Sequence, residues 1–176
     1  MMAGDSIVIT LARQPLFEGL APAQIREIAA RAQRAIYQPG SVIIEENAEG
    51  DAAILIVSGE AARVSGPVLS ARIEPVAAGA LLGEAAMMIE TTHTSTVVAR
   101  SQVRALHLSR DELRAQMLED PSIAETLIHN IATRLMRIAE DLRRVDAALA
   151  GDQASAVPGT LAQLPPPAGM QPAPIH

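Results

Sequence analysis

The chain has 176 residues, a formal net charge of −6, 49% hydrophobic and 19% charged residues, enough for one globular domain with a real core. The acidic balance argues against a general nucleic-acid binder, and 1% aromatics (Phe17 and Tyr37) leave no platform for stacking bases. Lys and Cys are both absent, which excludes P-loop and Schiff-base lysines, thiolate nucleophiles, disulfides and Cys-based metal sites.

Residues 1–11 form an N-terminal segment. Asp5 and the short apolar run Ser6 to Ala12 have no basic region ahead of them, so they do not read as a targeting signal. The apolar segment 75–89 is interrupted by Glu84, and no stretch reaches the roughly 18 apolar residues of a membrane span. The expectation is a soluble cytoplasmic protein with no membrane partner.

Residues 7–35 read as helical, punctuated by Pro15 and Pro22, with Ile25, Ile28 and Ala29 on one face. Residues 36–110 read as short strands: Val42 to Ile44, Ile54 to Val57, Thr96 to Val98 and Val103 to Leu108. Pro39-Gly40, Gly50-Asp51, Ser58-Gly59 and Gly66-Pro67 separate them. The spacing predicts a small barrel or jelly roll. Leu81 to Met88 breaks the strand pattern and reads as one or two helical turns. Ser109 and Glu112 form a capping-box pattern ahead of a short helix. Pro121 opens a long helix to about Ala150, ended by Gly151. Residues 151–176, which hold half of the prolines, read as a disordered tail.

The long helix carries the clearest periodicity. Ile128, Ile131, Leu135, Ile138, Leu142, Val145 and Leu149 alternate spacings of three and four over about three heptads. Near Leu127 to Leu135 the stripe packs partly on its own domain. Beyond Ile138 little chain remains to cover it, which predicts a parallel homodimer. An unidentified protein partner is expected as well.

The stretch Gly79-Ala-Leu-Leu-Gly-Glu-Ala-Ala-Met-Met-Ile-Glu-Thr-Thr-His-Thr-Ser-Thr-Val-Val-Ala99 resembles the phosphate-binding cassette of the cyclic nucleotide-binding domain family. Leu16 to Leu20, Tyr37 to Ile43, Gly50-Asp51, Ile54 to Glu60 and the helix after Pro121 extend the resemblance over about residues 12–147. It implies an α+β fold: an antiparallel β-roll or jelly roll flanked by N-terminal helices and a long C-terminal dimerisation helix. The domain proper would span 12–120 and the helix 121–150. The implied ligand is cyclic AMP or cyclic GMP. Its candidate binding residues are Gly83, Glu84, Ala85, His93, Thr94 and Ser95. In the family a Glu at the position of Glu84 accepts from the ribose 2′-hydroxyl; equally, Glu84 could cap amides of its own loop. The short helix from Glu84 would aim amides at the phosphate.

Three departures qualify the resemblance. His93 stands where the family has a phosphate-binding Arg, which exchanges a permanent forked cation for a group with an ordinary pKa near 6.5. An adjacent phosphate would favour its protonated form. Ile138 and Ala139 stand where catabolite-activator-like members have a polar pair that touches the purine; Arg134 or Arg137 could reach the pocket, but each reads first as an exposed helix arginine. No helix-turn-helix sequence follows the long helix, so DNA binding is not expected.

Other constellations read as structural. No His-x-His or His-Glu-x-x-His spacing occurs, so no metal site is expected. Glu125 and His129 read as a solvated helix face, His107 as exposed, and Met87-Met88 as core filler. The sequence thus predicts a non-enzymatic, dimeric regulatory module with a cyclic nucleotide-binding fold. The alternative is a degenerate fold that binds no nucleotide and works by protein contact.

Overall fold

In the computed structural model of the chain, residues 2–66 and 71–155 are described. Helix α1 (Met2–Ala12), a 3-10 turn (Pro15–Phe17) and α2 (Pro22–Arg31) lead into ten strands. Helix α2 begins at Pro22, whose missing N–H would be unpaired there in any case, and Gln24 Oε1 accepts from the Ala21 amide at 2.8 Å.

The strands are β1 (Gln33–Tyr37), β2 (Val42–Ile44), β3 (Glu49–Gly50), β4 (Ala52–Ser58), β5 (Ala61–Ser65), β6 (Arg72–Val76), β7 (Leu81–Leu82), β8 (Thr91–Thr92), β9 (Thr96–Ala99) and β10 (Val103–Ser109). They form two four-stranded sheets, β1-β10-β4-β7 and β2-β9-β5-β6, with β3 and β8 as a separate pair. All pairings are antiparallel. Helices α3 (Arg110–Glu119) and α4 (Pro121–Ser155) complete the chain, and Ser109 Oγ caps α3 by accepting from the Glu112 amide at 3.3 Å.

Two apolar clusters explain the layering. One lies between the two sheets and joins Ile54 and Ile56 of β4 to Ile43, Ala61, Val97 and Ala105. The other lies on the helix side and joins Ala53 and Leu55 to Phe17, Ile25, Leu106, Leu113, Ile123 and Leu127. Strand β4 is therefore covered on both faces, which is why its sequence is a continuous apolar run rather than an alternating one.

The described residues fall into two compact units that meet between Arg134 and Leu135. The expected boundary before Pro121 does not hold, because Ile123 and Leu127 are buried in the helix-side core. The N-terminal segment likewise belongs to the first unit, where Leu11 is buried and Ile7 and Val8 pack against the same core. Strand structure starts at Gln33, earlier than the sequence implied, and β1, β5 and β6 are additional strands. Leu81–Leu82 is a short strand on β4 rather than helix, and the helical turn is confined to Glu84–Met87. Helix α4 continues through Gly151 to Ser155. The expected tail lies, from residue 156 onward, outside the described residues.

Candidate functional site

The cassette is built around two glycines and one imidazole. Gly83 follows β7 in the left-handed region (φ +62°, ψ 31°) and precedes the 3-10 turn Glu84–Met87. That conformation favours glycine. The turn is anchored by buried Ala86 and Met87 and by the Ala86 amide donating to the Gly83 carbonyl at 2.9 Å. A first helical turn has no internal acceptors for its leading amides, so those of Glu84 and Ala85 are available to an anion. Ala85 itself is exposed.

His93 follows β8. Its amide donates to the Ala48 carbonyl at 3.0 Å, and its carbonyl accepts from Asn47, itself left-handed at φ 65°, at 2.8 Å. The half-buried ring then lies between Gly50 and Gly83. A Cβ on Gly50 would stand 2.8 Å from Nε2, and one on Gly83 would stand 3.0 Å from Cε1. Both glycines make room for the ring.

A cavity of about 410 Å³ borders this arrangement. Gly83, His93, Thr94 and Ser95 form its cassette side, and Arg63, Ser65 and Glu74 form its sheet side. The structure thus brings four of the six expected residues to one cavity. The Glu84 carboxylate turns instead to Arg134 of α4, with which it forms an ion pair. Arg134 and Arg137 are both exposed, as expected, and Arg134 is in addition paired.

Arg63 and Glu74 were not anticipated from the sequence. On β5, Ala61, Arg63 and Ser65 share one face, and Ala61 is core, so Arg63 and Ser65 follow it inward. A larger cavity of about 590 Å³ lies behind β3 and β8. Glu49, Asp51, Glu90 and Asp111 outnumber Arg110 and Arg114 there, which disfavours an anion. Arg110 is also committed to the Gly50 carbonyl at 2.7 Å.

His107 is half-buried, against the expectation of exposure. Both faces of β10 are covered, and the Tyr37 hydroxyl lies 2.7 Å from His107 Nε2. Burial lowers the His107 pKa below its ordinary value and raises that of Tyr37. At the end of α2, Arg31 grips Glu119 through Nη2 at 2.6 Å and Nη1 at 3.2 Å, and this bonding lowers the Glu119 pKa. Hydrogen bonds from Ser122, then Gln24, lower that of Asp120.

On the expected dimer stripe, Ile131 packs against the helix-side core, while Ile128, Leu135, Ile138, Leu142, Val145 and Leu149 are exposed. Glu125 and His129 are exposed as expected. No group that could hold a metal ion occurs among the described residues, and no helix there is long and apolar enough to cross a membrane.

The fold and the cassette define a cyclic nucleotide-binding domain. Residues 34–120 match the model of that family and belong to it. Over 101 residues the chain is 39% identical to the cAMP-dependent protein kinase regulatory subunit of Aspergillus fumigatus, covering 55% of this chain and 23% of that one. Over 135 residues it is 27% identical to the CRP-like cAMP-activated global transcriptional regulator of Mycobacterium tuberculosis, covering 75% of this chain and 60% of that one. The solved structure of the Thermus thermophilus catabolite activator protein matches with a TM-score of 0.61 and 27% identity, over 76% of this chain and 63% of that one. The chain spans less than two thirds of each of these relatives.

Proposed function

We propose that the chain is a non-enzymatic regulatory module of the cytoplasm whose 410 Å³ cavity takes a cyclic nucleotide. The observation that carries this reading is the left-handed Gly83 opening the Glu84–Met87 turn beside that cavity, within a segment of matching family. The phosphate would sit against the amides of Glu84 and Ala85, with Thr94 and Ser95 as hydroxyl and amide donors and His93 as an imidazole donor. The ribose hydroxyl would compete with Arg134 for Glu84. A ligand therefore acts on α4 through the group that already pairs with it. A second copy would cover Leu135, Ile138, Leu142, Val145 and Leu149. The module would work without DNA contact.

A thermal unfolding series followed by far-ultraviolet circular dichroism tests this with cyclic AMP and cyclic GMP at about pH 6 and pH 8. Ligand at 100 times its Kd stabilises by about 2.7 kcal/mol, which raises the midpoint of a chain of this size by roughly 5–10 °C. The second reading, a protein-contact module without nucleotide, rests on His93 in the place of the family's Arg. It predicts no rise under either condition.

A further inference from the structure

We propose that Arg63 supplies the permanent positive charge for the ligand's phosphate, and that Glu74 holds this guanidinium until the phosphate displaces the carboxylate. The inference rests on the reading of the cavity as a cyclic nucleotide site. It deepens that reading by naming a binding residue outside the cassette.

The cassette side of the cavity offers backbone amides, hydroxyls and an imidazole, and none of these is a permanent cation. Among the described residues that border the cavity, Arg63 alone carries a charge that does not depend on pH. Its place on the sheet directs it inward. Arg63 faces Glu74 across the β5–β6 pairing and Val97 across the β5–β9 pairing, so on the Val97 side an apolar neighbour leaves the guanidinium without a competitor.

The contact with Glu74 is loose. Arg63 Nη1 lies 3.9 Å from Glu74 Oε2, well beyond the roughly 2.7–2.9 Å of a charge-assisted hydrogen bond. The other oxygen of the same carboxylate lies 3.9 Å from Arg72 Nη1. One carboxylate is thus shared by two guanidinium groups. Arg72 is 79% exposed and Arg63 39% exposed, so the two partners are not equivalent. When Arg63 turns to an entering phosphate, Glu74 retains Arg72, and neither charge is left alone. The group of three carries a net charge of +1, which suits a phosphodiester monoanion. A long, flexible stem with a forked head can make that exchange without backbone movement.

The competing reading is that Arg63 and Glu74 together read the edge of a purine base, the guanidinium donating to guanine O6 and N7 and the carboxylate accepting from its ring and amino N–H groups. The two readings differ in sign at Glu74. In the exchange, Glu74 competes with the ligand for Arg63, and its removal helps binding. In base reading, Glu74 contacts the ligand, and its removal harms the binding of one nucleotide selectively.

Titration calorimetry of the full chain with cyclic AMP and with cyclic GMP separates these, using the parent, Arg63→Gln, Arg63→Lys and Glu74→Gln. The expected result is a loss of about ten- to a hundredfold in affinity for both nucleotides in Arg63→Gln, partial retention in Arg63→Lys, and tighter binding of both in Glu74→Gln. Melting curves without ligand check folding. If Arg63→Gln does not fold, Glu74→Gln carries the test alone. Parent-like binding by Arg63→Gln would overturn the assignment and leave the nucleotide reading standing. Selective loss of cyclic GMP binding in Glu74→Gln would overturn the exchange in favour of base reading. A parent chain that binds neither nucleotide would overturn both the function and this inference.

Discussion

Replacing Gly50 by Ala tests how tightly the cassette is built. Gly50 is buried in β3, and an added Cβ would lie 2.5 Å from Ala86 Cβ and 2.8 Å from His93 Nε2. Carbon atoms pack without repulsion at about 3.5–4.0 Å, so the Ala86 contact is short by roughly 1 Å or more. The imidazole can swing away, but Ala86 cannot, because its amide is bonded to the Gly83 carbonyl at 2.9 Å and its side chain is fully buried. The Glu84–Met87 turn must therefore shift as a unit. Overpacking of this kind costs about 1–3 kcal/mol, and a backbone shift puts Gly50→Ala near the upper end. At about 2–3 kcal/mol, the unfolding midpoint falls by roughly 4–12 °C for a chain of this size. Far-ultraviolet circular dichroism reads this directly. Adding Ala86→Gly removes the closer clash and recovers part of the loss, whereas adding His93→Ala recovers less. A Gly50→Ala variant that melts within about 1 °C of the parent would refute this packing of the cassette.

Acid sensitivity and assembly give two further expectations. Burial depresses the His107 pKa in the folded protein below the value near 6.5 that the unfolded chain recovers. Protons therefore bind more readily to the unfolded state, and this contribution to stability is complete above about pH 6.5 and is lost as pH falls through the folded value. The urea midpoint should drop between about pH 7.5 and pH 5.5, and His107→Gln should flatten that drop; an unchanged slope would remove His107 as the cause. Leu142 is 60% exposed in the single chain, at the middle of the α4 stripe. Leu142→Glu should convert a dimer to a monomer in sedimentation equilibrium without altering the melting of the unit that ends at Arg134; a variant that remains dimeric would place the interface elsewhere.

Much of the roll was legible because its central strands carry the residues that strands require. Ile54 to Val57 and Thr96 to Val98 are rich in β-branched residues, Val103 to Leu108 is mostly apolar, and all three lie in internal strands. Strands β5 and β6 were not legible for a physical reason. Ala61-Ala62-Arg63-Val64-Ser65 is held by its neighbours on both sides rather than by its own propensity. Pro75 lies within β6, which is an edge strand, where a residue without a donor is tolerated. His107 was misread because alternation predicts exposure only where one face of a strand is open, and both faces of β10 are covered.

The site divides along the same line. Gly83, His93, Thr94 and Ser95, which border the cavity, lie within one short stretch of chain, so a local pattern groups them. Arg63 and Glu74 lie in the same cavity only because β5 pairs with β6 and β9 in a particular register. A slip of one residue would turn Arg63 to the outer face. The ring at position 93 fits between two residues that lack a Cβ, at distances that leave a planar side chain little room to spare. On the proposed exchange, the charge missing from the cassette enters from the opposite sheet. The cassette could then keep its turn and donors while the cation came from a strand whose sequence gives no sign of it.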